Sequence, residues 1–366
     1  MGETIIDYRP LARTAVRKSL AVKKGENVIV ETWNHGLPIA REIIFALRDV
    51  GANSLLLLED EETYWRSVEG LAPNKLGNVG SHEWAAMKEA DCYVFLPGPA
   101  DIARVRKAGR KYRAATSYNT TWYRNAEKWG IRGVRLSLGY ATPERAAAYG
   151  LDADAWRRML LDASALDPKV LQGPGKKIQR ALRGKGRVEV TAPNGTDFTF
   201  DLPDRSVWLT DGVTDAEDVK EGNNMSNLPG GTVSSTVDET SGDGVFIADR
   251  PGAYLGKWMK GISFEFKDGR LKEYHVREGG ERVGEDFREE KNATKQRLSS
   301  FIVGLNPAIR YGFLQDTLAA GAFHLGFGDN EEDGGKNKGD FYLGGTLSNA
   351  TVAVDGKEIL RGGKVL

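Results

Sequence analysis

Apolar and polar residues in the first half of the chain follow two alternating periods. Segments with apolar residues at helical spacing are each followed by a short apolar run of the kind that forms strands. The continuous apolar run at 54–58 is typical of a strand buried in a parallel sheet. This alternation predicts an open α/β sheet with right-handed crossovers. The predicted helices are 11–20, 38–50, 83–89 and 102–109, and the predicted strands are 27–31, 54–58, 92–96 and 114–117.

The pattern changes after Pro143. Helical spacing continues over two longer segments, and strands separated by glycine turns follow from Arg187 onward. The turns Pro193-Asn194-Gly195 and Lys267-Asp268-Gly269 lie between apolar runs and indicate hairpins. We therefore expect an N-terminal α/β domain and a β-rich α+β domain, with a boundary near residue 185. The predicted helices are 144–165 and 168–183, the predicted strands are 187–192, 197–202, 244–249, 262–267 and 351–354, and the predicted domains are 1–185 and 186–366.

Composition and net charge indicate which classes of binding partner the chain does not favour. The 366 residues are 40% hydrophobic and 28% charged, and the formal net charge is zero. A neutral chain has no overall attraction for nucleic acid or an anionic membrane, and the basic clusters at 104–113 and 176–187 have the spacing of solvated helix faces. No apolar leader or membrane-length apolar run is visible, and Cys92 is the single cysteine. We expect a cytoplasmic protein, with Cys92 buried in a strand.

Common catalytic motifs are missing from the sequence. It contains no Gly-x-Ser-x-Gly elbow, no phosphate-binding loop of the Gly-x4-Gly-Lys-Ser/Thr kind and no cysteine pair that could hold zinc. The most informative stretch is Phe323-His324-Leu325-Gly326-Phe327-Gly328, which the glycine-rich segment 334–338 follows. That segment predicts a turn whose backbone N–H groups and lysines either hold an anion or face solvent.

The order of several weak motifs resembles the M29 family of metallo-aminopeptidases, the aminopeptidase T type, and its dihydroxypyridine ring-cleaving relatives. The resemblance extends over nearly the whole chain, and it implies the aminopeptidase T-like fold and a homodimer. The matching segments are 19–28, Pro38, 51–52 and 59–62 in the first half, and 193–197, 227–232, 303–307, 324–328 and 335–338 in the second.

The resemblance assigns the family's metal ligands to five positions. The glutamate of its Pro-x-Gly-Glu turn falls on Thr232, and the next ligand, a glutamate or a histidine, falls on Ser300. The following histidine is present as His324, whereas the last pair, His-x-Asp, falls on Tyr342 and Gly344. A hydroxyl does not replace a carboxylate as a strong ligand for a divalent ion. One of five ligand positions is therefore kept.

These substitutions predict a pseudoenzyme-like protein that binds rather than hydrolyses. We expect no metal and no other cofactor, and a peptide or amino-acid-like ligand in the inherited cleft, which the protein could present to a partner enzyme. Four side chains would offer neutral hydrogen bonds, with His324 the best candidate for any catalytic role, and Lys336 or Lys338 would meet a terminal carboxylate. The predicted ligand-binding residues are Thr232, Ser300, His324, Tyr342, Lys336 and Lys338.

Two enzymatic alternatives stay open at the level of sequence. Relocated ligands would give a metal-dependent aminopeptidase or a related metal-dependent oxygenase, since acidic residues follow both His324 and the altered glycine turn. A metal-independent enzyme would use His324 or Tyr342 for acid–base chemistry. The candidate displaced ligands are Asp238, Glu239, Asp329, Glu331, Glu332, Asp333 and Asp340.

Overall fold

The computed structural model describes residues 6–366, which form two compact units of two segments each. The first unit runs to Leu166 and resumes over Gly212–Gly230, and the second comprises Asp167–Asp211 and Gly231–Leu366. These units differ from a single division at residue 185. Segment 212–230 belongs to the first unit because it contributes a strand to that unit's sheet.

Strands dominate the second half of the described chain and alternate with helices in the first. In chain order the strands are β1 (Asn27–Trp33), β2 (Asn53–Glu59), β3 (Cys92–Phe95), β4 (Arg132–Leu136), β5 (Gly186–Thr191), β6 (Asp197–Leu202), β7 (Trp208–Thr210), β8 (Met225–Leu228), β9 (Thr232–Thr236), β10 (Asp243–Ile247), β11 (Gly252–Tyr254), β12 (Lys257–Lys267), β13 (Arg270–Glu278), β14 (Leu298–Gly304), β15 (Phe323–Gly328), β16 (Tyr342–Leu347), β17 (Thr351–Val354), β18 (Lys357–Arg361) and β19 (Lys364–Val365).

Most helices belong to the first unit, and two belong to the second. In chain order they are α1 (Arg9–Thr14), α2 (Leu37–Asp49), α3 (Glu61–Gly70), α4 (Ser81–Lys88), α5 (Ile102–Ala108), α6 (Arg110–Ala115), α7 (Asn119–Trp129), α8 (Pro143–Tyr149), α9 (Ala153–Ser164), α10 (Pro168–Leu182), α11 (Ala216–Lys220) and α12 (Glu281–Glu289). The predicted helix 144–165 is two helices, because the chain turns at Gly150 with a φ of 64°. Within residues 6–366, no helix has both the length and the apolar character to cross a bilayer.

The first unit is built on a parallel sheet with the order β2-β1-β3-β4-β8. The predicted open α/β sheet is confirmed. Cys92 lies in the central strand β3 with 0% of its surface exposed, as the apolar run around it predicts, and burial raises the pKa of its thiol to about 12.

One strand prediction in the first unit is wrong, and another is right about the strand but wrong about its burial. The run 54–58 does form strand β2, but β2 is an edge strand, and Leu55, Leu56 and Leu58 are exposed rather than buried. The segment 114–117 is the end of helix α6 and a following turn, because its small residues continue the helix. The neighbour of β3 in the sheet is instead β4, which contains two arginines, Arg132 and Arg135, beside Gly133, Val134 and Leu136.

The second unit contains two antiparallel sheets. One has the order β11-β12-β10-β6-β5-β17-β18-β19, with β13 also paired to β12, and the other has the order β16-β15-β14-β9-β7. Both predicted hairpins are present, joining β5 to β6 and β12 to β13. Inward-facing phenylalanines of the two sheets form one core, in which Phe264 contacts Phe327 and Phe200 contacts Phe301. The mixed α/β class with a β-rich second part is thus confirmed.

Candidate functional site

The candidate site lies on one face of the sheet β16-β15-β14-β9-β7. Alternate residues of a strand face the same side, so His324 shares a face with Gly326 on β15. On the adjacent strand β16 the corresponding residues are Tyr342, Gly344 and Thr346, and the antiparallel register places His324 opposite Thr346. Strand pairing therefore brings together residues that are some twenty positions apart in the sequence.

Hydrogen bonds join these side chains in a row. The His324 Nδ1 atom lies 2.9 Å from the Thr346 hydroxyl, and its Nε2 atom lies 2.9 Å from the Tyr342 hydroxyl. The Ser300 side chain, from the neighbouring strand β14, lies close enough to the same tyrosine hydroxyl to lower its pKa. In a neutral imidazole one nitrogen donates and the other accepts, and either hydroxyl can take the matching role. The side chains of Ser300, Tyr342, His324 and Thr346 can thus find hydrogen-bond partners among themselves while all are uncharged.

Glycine is needed at two positions for this row to form. The Tyr342 ring crosses the strand surface above Gly326, and a Cβ atom at residue 326 would overlap its hydroxyl. A Cβ atom at Gly344 would likewise overlap the His324 imidazole. The two glycines therefore provide the space in which the imidazole and the phenol meet.

The electrostatics of the site favour neutral groups. Burial lowers the pKa of His324 from 6.5 to about 4, because no counter-charge compensates the lost hydration of an imidazolium. Loss of hydration at its hydroxyl also raises the pKa of the Tyr342 phenol well above 10, although the Ser300 side chain opposes that rise. At neutral pH the site thus contains an uncharged imidazole and an uncharged phenol.

A cavity of about 200 Å³ opens beside this row, and His324, Tyr342 and Thr346 form part of its wall. Its other wall residues include aromatic and aliphatic side chains and one carboxylate, Asp316. The Asp316 Oδ1 atom accepts hydrogen bonds from the N–H groups of Gly312, at 2.8 Å, and of Phe313. Its Oδ2 atom is buried and accepts no hydrogen bond from residues 6–366.

The Asp316 carboxyl is unusual because it is nearly enclosed. The residue is only 5% exposed, and burial raises the pKa of its carboxyl. A buried carboxylate oxygen without a partner is costly, so such a group is commonly completed by a ligand or ordered water. One of the residues that line the cavity thus has a buried carboxylate oxygen without a hydrogen-bond partner among residues 6–366.

Thr232 lies apart from the other predicted ligand-binding residues. It pairs with Gly304 at one end of the β9–β14 ladder, whereas Ser300 pairs with Thr236 at the other. Four residues of strand separate Thr232 from Thr236, which is about 13 Å. Three predicted residues, Ser300, His324 and Tyr342, are therefore brought together, and Thr232 is not.

The two predicted lysines lie on the loop between β15 and β16, away from the wall of the cavity. Lys338 Nζ forms an exposed ion pair with Glu331, at 3.1 Å. The backbone N–H of Lys336 donates to the carboxylate of Glu239, at 2.8 Å, which Arg205 also holds through a bidentate pair at 2.6 and 3.0 Å. The anion held by this glycine-rich turn is therefore a side chain of the same protein.

The contacts of Glu239 and Glu331 also bear on the alternative of a metal site with relocated ligands. Glu239 is engaged with Arg205, and Glu331 with Lys338. Within the described part of the chain, no group of three or more His, Cys, Asp or Glu side chains could hold a metal ion. At the five positions aligned with the family's metal ligands, this chain has three hydroxyl side chains, one imidazole and a glycine without a side chain. Such a set does not fit the divalent ion of a metallopeptidase.

Two residues of the site are not predicted from the sequence. Thr346 could have been found from strand period, since it follows Tyr342 and Gly344 at intervals of two. Asp316 belongs to no motif, and its place in the cavity wall depends on the fold of the loop between β14 and β15.

One segment of the chain matches the model of a known protein family. A model described as thermophilic metalloprotease (M29) matches residues 174–300. The M29 resemblance is confirmed. The matched segment includes Thr232 and Ser300, and it ends before His324. A comparison with curated proteins gave no match.

Solved structures show the same fold along nearly the whole chain. Wild-type AmpT from Thermus thermophilus superimposes with a TM-score of 0.68 at 17% identity, covering 98% of both chains. The 2,5-dihydroxypyridine dioxygenase from Pseudomonas putida KT2440 superimposes with a TM-score of 0.67 at 16% identity, covering 98% of this chain and 96% of the other. The aminopeptidase T-like fold is therefore confirmed.

Proposed function

We propose that the cavity beside His324 binds a peptide or an amino-acid-like molecule without a metal ion and does not hydrolyse it. The observation that carries this proposal is the row Ser300, Tyr342, His324 and Thr346, in which neutral side chains satisfy one another next to a cavity. Such groups can exchange hydrogen bonds with the amide and carbonyl groups of a ligand.

The remaining wall of the cavity suits the other parts of such a ligand. The Asp316 carboxylate, which lines the cavity and has one oxygen without a hydrogen-bond partner, would attract the ammonium group of a peptide or amino acid. Trp258, Phe313 and Leu314 offer an apolar wall for a hydrophobic side chain. A ligand with a free amine and an apolar side chain would therefore use both kinds of surface.

A calorimetric titration with the dipeptide Leu-Phe tests this proposal. We expect saturable binding at pH 7, at least tenfold weaker binding of N-acetyl-Leu-Phe, and a similar loss in Asp316→Asn. Glu273→Gln, which removes an exposed carboxylate on β13, is the matched control and should bind normally. Thermal unfolding shows whether each variant is folded. Equal binding of both peptides, or none by the folded wild-type protein, would overturn the proposal.

A metal-dependent aminopeptidase or oxygenase with relocated ligands is the second candidate. The description of the matching family model as a metalloprotease favours it. That candidate predicts release of leucine from Leu-Phe, or oxidative ring cleavage of a dihydroxypyridine, when zinc, manganese, cobalt or iron is added. It also predicts that His324→Ala abolishes the activity. Unchanged dipeptide after incubation with each metal supports the binding function instead.

Three further features belong to the same proposal. The protein would act in the cytoplasm, form a homodimer, and present its ligand to a partner enzyme. Sedimentation velocity at micromolar concentration tests the homodimer, since a dimer has twice the 40.1 kDa mass of the chain.

A further inference from the structure

A second cavity, of about 50 Å³, lies in the first unit and has no part in the proposed peptide site. Its wall combines aromatic side chains with one carboxylate, Glu31, and one guanidinium, Arg135. Buried charge beside aromatic rings in a concave site is a general sign of ligand recognition.

The parallel sheet sets the positions of the charged groups. Glu31 on β1 is in register with Phe95 on β3, and Phe95 is in register with Arg135 on β4. The two charged residues are therefore two strand spacings apart, about 10 Å between Cα atoms. All three lie near the carboxyl ends of their strands, where open α/β sheets bind ligands.

Helix α7 and the residue before it supply the aromatic wall. Tyr118, Trp122 and Tyr123 come from this segment and face the cavity. The Trp122 ring meets the Tyr93 ring edge to face, with centroids 4.6 Å apart. Aromatic faces attract an organic cation and also cover its alkyl stem.

The Glu31 carboxylate lines the cavity and accepts a hydrogen bond at one of its two oxygens. The Tyr93 hydroxyl donates to Oε2. Burial raises the pKa of this carboxyl to about 7, and the charges of Glu83 and Glu59 add to that effect. A cation bound beside Glu31 would be attracted by that carboxylate when it is ionised, and also by the charges of Glu59 and Glu83 that raise its pKa.

Arg135, which is two strands away from Glu31, has contacts of its own. Its Nη2 atom donates to the Tyr123 hydroxyl at 2.9 Å, and its guanidinium lies over the Phe95 ring, 5.5 Å from the centroid. The arginine thus helps to hold the aromatic wall in place. Glu31 and the aromatic rings make up most of the rest of the cavity wall.

We propose that this cavity binds the ammonium end of a small primary amine, with Glu31 as its counter-charge and the rings of Tyr118 and Trp122 around its stem. The small volume admits an ammonium group and a few methylene groups rather than a large molecule. The site lies in a different unit from His324, so the amine-binding proposal does not depend on the proposed peptide site.

The amine affinity should depend on pH because Glu31 must be ionised to bind a cation. The groups that face or surround it are Tyr93 and Tyr118, whose pKa values are raised by burial, together with Glu59, Glu83 and Arg135. An alkylamine stays protonated well above pH 8. Lowering the pH from 8 to 6 should therefore weaken binding about tenfold, as Glu31 takes up a proton.

The test is a titration of the full-length protein with n-butylammonium chloride, followed by calorimetry and by Trp fluorescence. We expect saturable binding at pH 8, about tenfold weaker at pH 6, and no binding of butyrate or n-butanol. Glu31→Gln should abolish binding, whereas Glu62→Gln, which removes an exposed carboxylate, should not change it. Thermal unfolding verifies the fold of both variants.

Three outcomes would overturn the proposal. They are the absence of saturable n-butylammonium binding at pH 8, equal binding by a folded Glu31→Gln protein, and tighter binding of butyrate than of the amine. The last result would assign the cavity to an anion held by Arg135.

Discussion

Replacing Glu239 with glutamine removes the charge that holds the loop between β15 and β16. The Glu239 carboxylate accepts two hydrogen bonds from Arg205, one from the Lys336 N–H and one from the Asn330 side chain, at 3.2 Å. Its side chain is only 7% exposed. Burial alone would raise the pKa of this carboxyl, but the hydrogen bonds outweigh burial and lower the pKa from 4.5 to about 2.

The size of the effect follows from that pKa. A carboxyl whose pKa falls from 4.5 to about 2 on folding stabilises the folded state by about 3 kcal/mol when it is ionised. Partial exposure of Arg205 screens the interaction, and a glutamine side chain keeps an acceptor oxygen. We therefore expect Glu239→Gln to lower the free energy of unfolding by about 2 kcal/mol at pH 7.

Urea denaturation at several pH values provides the assay. Because the folded-state pKa is depressed, the stabilisation is fully present above pH 4.5 and is lost as the pH falls from 4.5 towards 2. The difference between wild type and variant should narrow over that range. Glu331→Gln, which breaks the exposed pair with Lys338, should change the free energy by less than about 0.5 kcal/mol. Equal effects of the two substitutions would refute the reasoning.

Three further outcomes are expected. The His324 imidazole should titrate near pH 4 in NMR spectra. Because burial lowers its pKa from 6.5 to about 4, its contribution to the free energy of unfolding should be complete above pH 6.5 and should be lost as the pH falls towards 4. A midpoint above 6 would contradict its burial. Gly344→Ala should lower the free energy of unfolding by about 2 kcal/mol or more in urea, whereas Gly70→Ala, where a Cβ meets open space, should change it little; equal stability of the two variants would contradict the overlap with His324. Cys92 should resist a thiol reagent in the native protein and react in urea, and rapid native labelling would contradict its enclosure.

Local patterns predict much of the fold. The hairpins at 193–195 and 267–269 and most of the helices follow from turn residues and apolar period, which act over a few neighbouring residues. The exposure of β2 could not be predicted in this way, because a run of four leucines gives no indication of whether its strand lies at the centre or the edge of a sheet.

The candidate site is predictable only in part for the same reason. Ser300, His324 and Tyr342 meet because β14, β15 and β16 are neighbours, whereas the register of β9 places Thr232 at the far end of the ladder. The partner of the glycine-rich turn lies 97 residues away from Lys336 in the sequence. Such a long-range contact depends on the assembled sheets, and no local motif indicates it.

The most direct test of a metal-free binding site is a Leu-Phe titration of protein from which a chelator has removed all divalent metal. A metal-free site should show the same saturable binding before and after this treatment, with intact dipeptide in both samples. Loss of binding after the chelator, followed by recovery of binding and hydrolysis with one equivalent of metal, would contradict it.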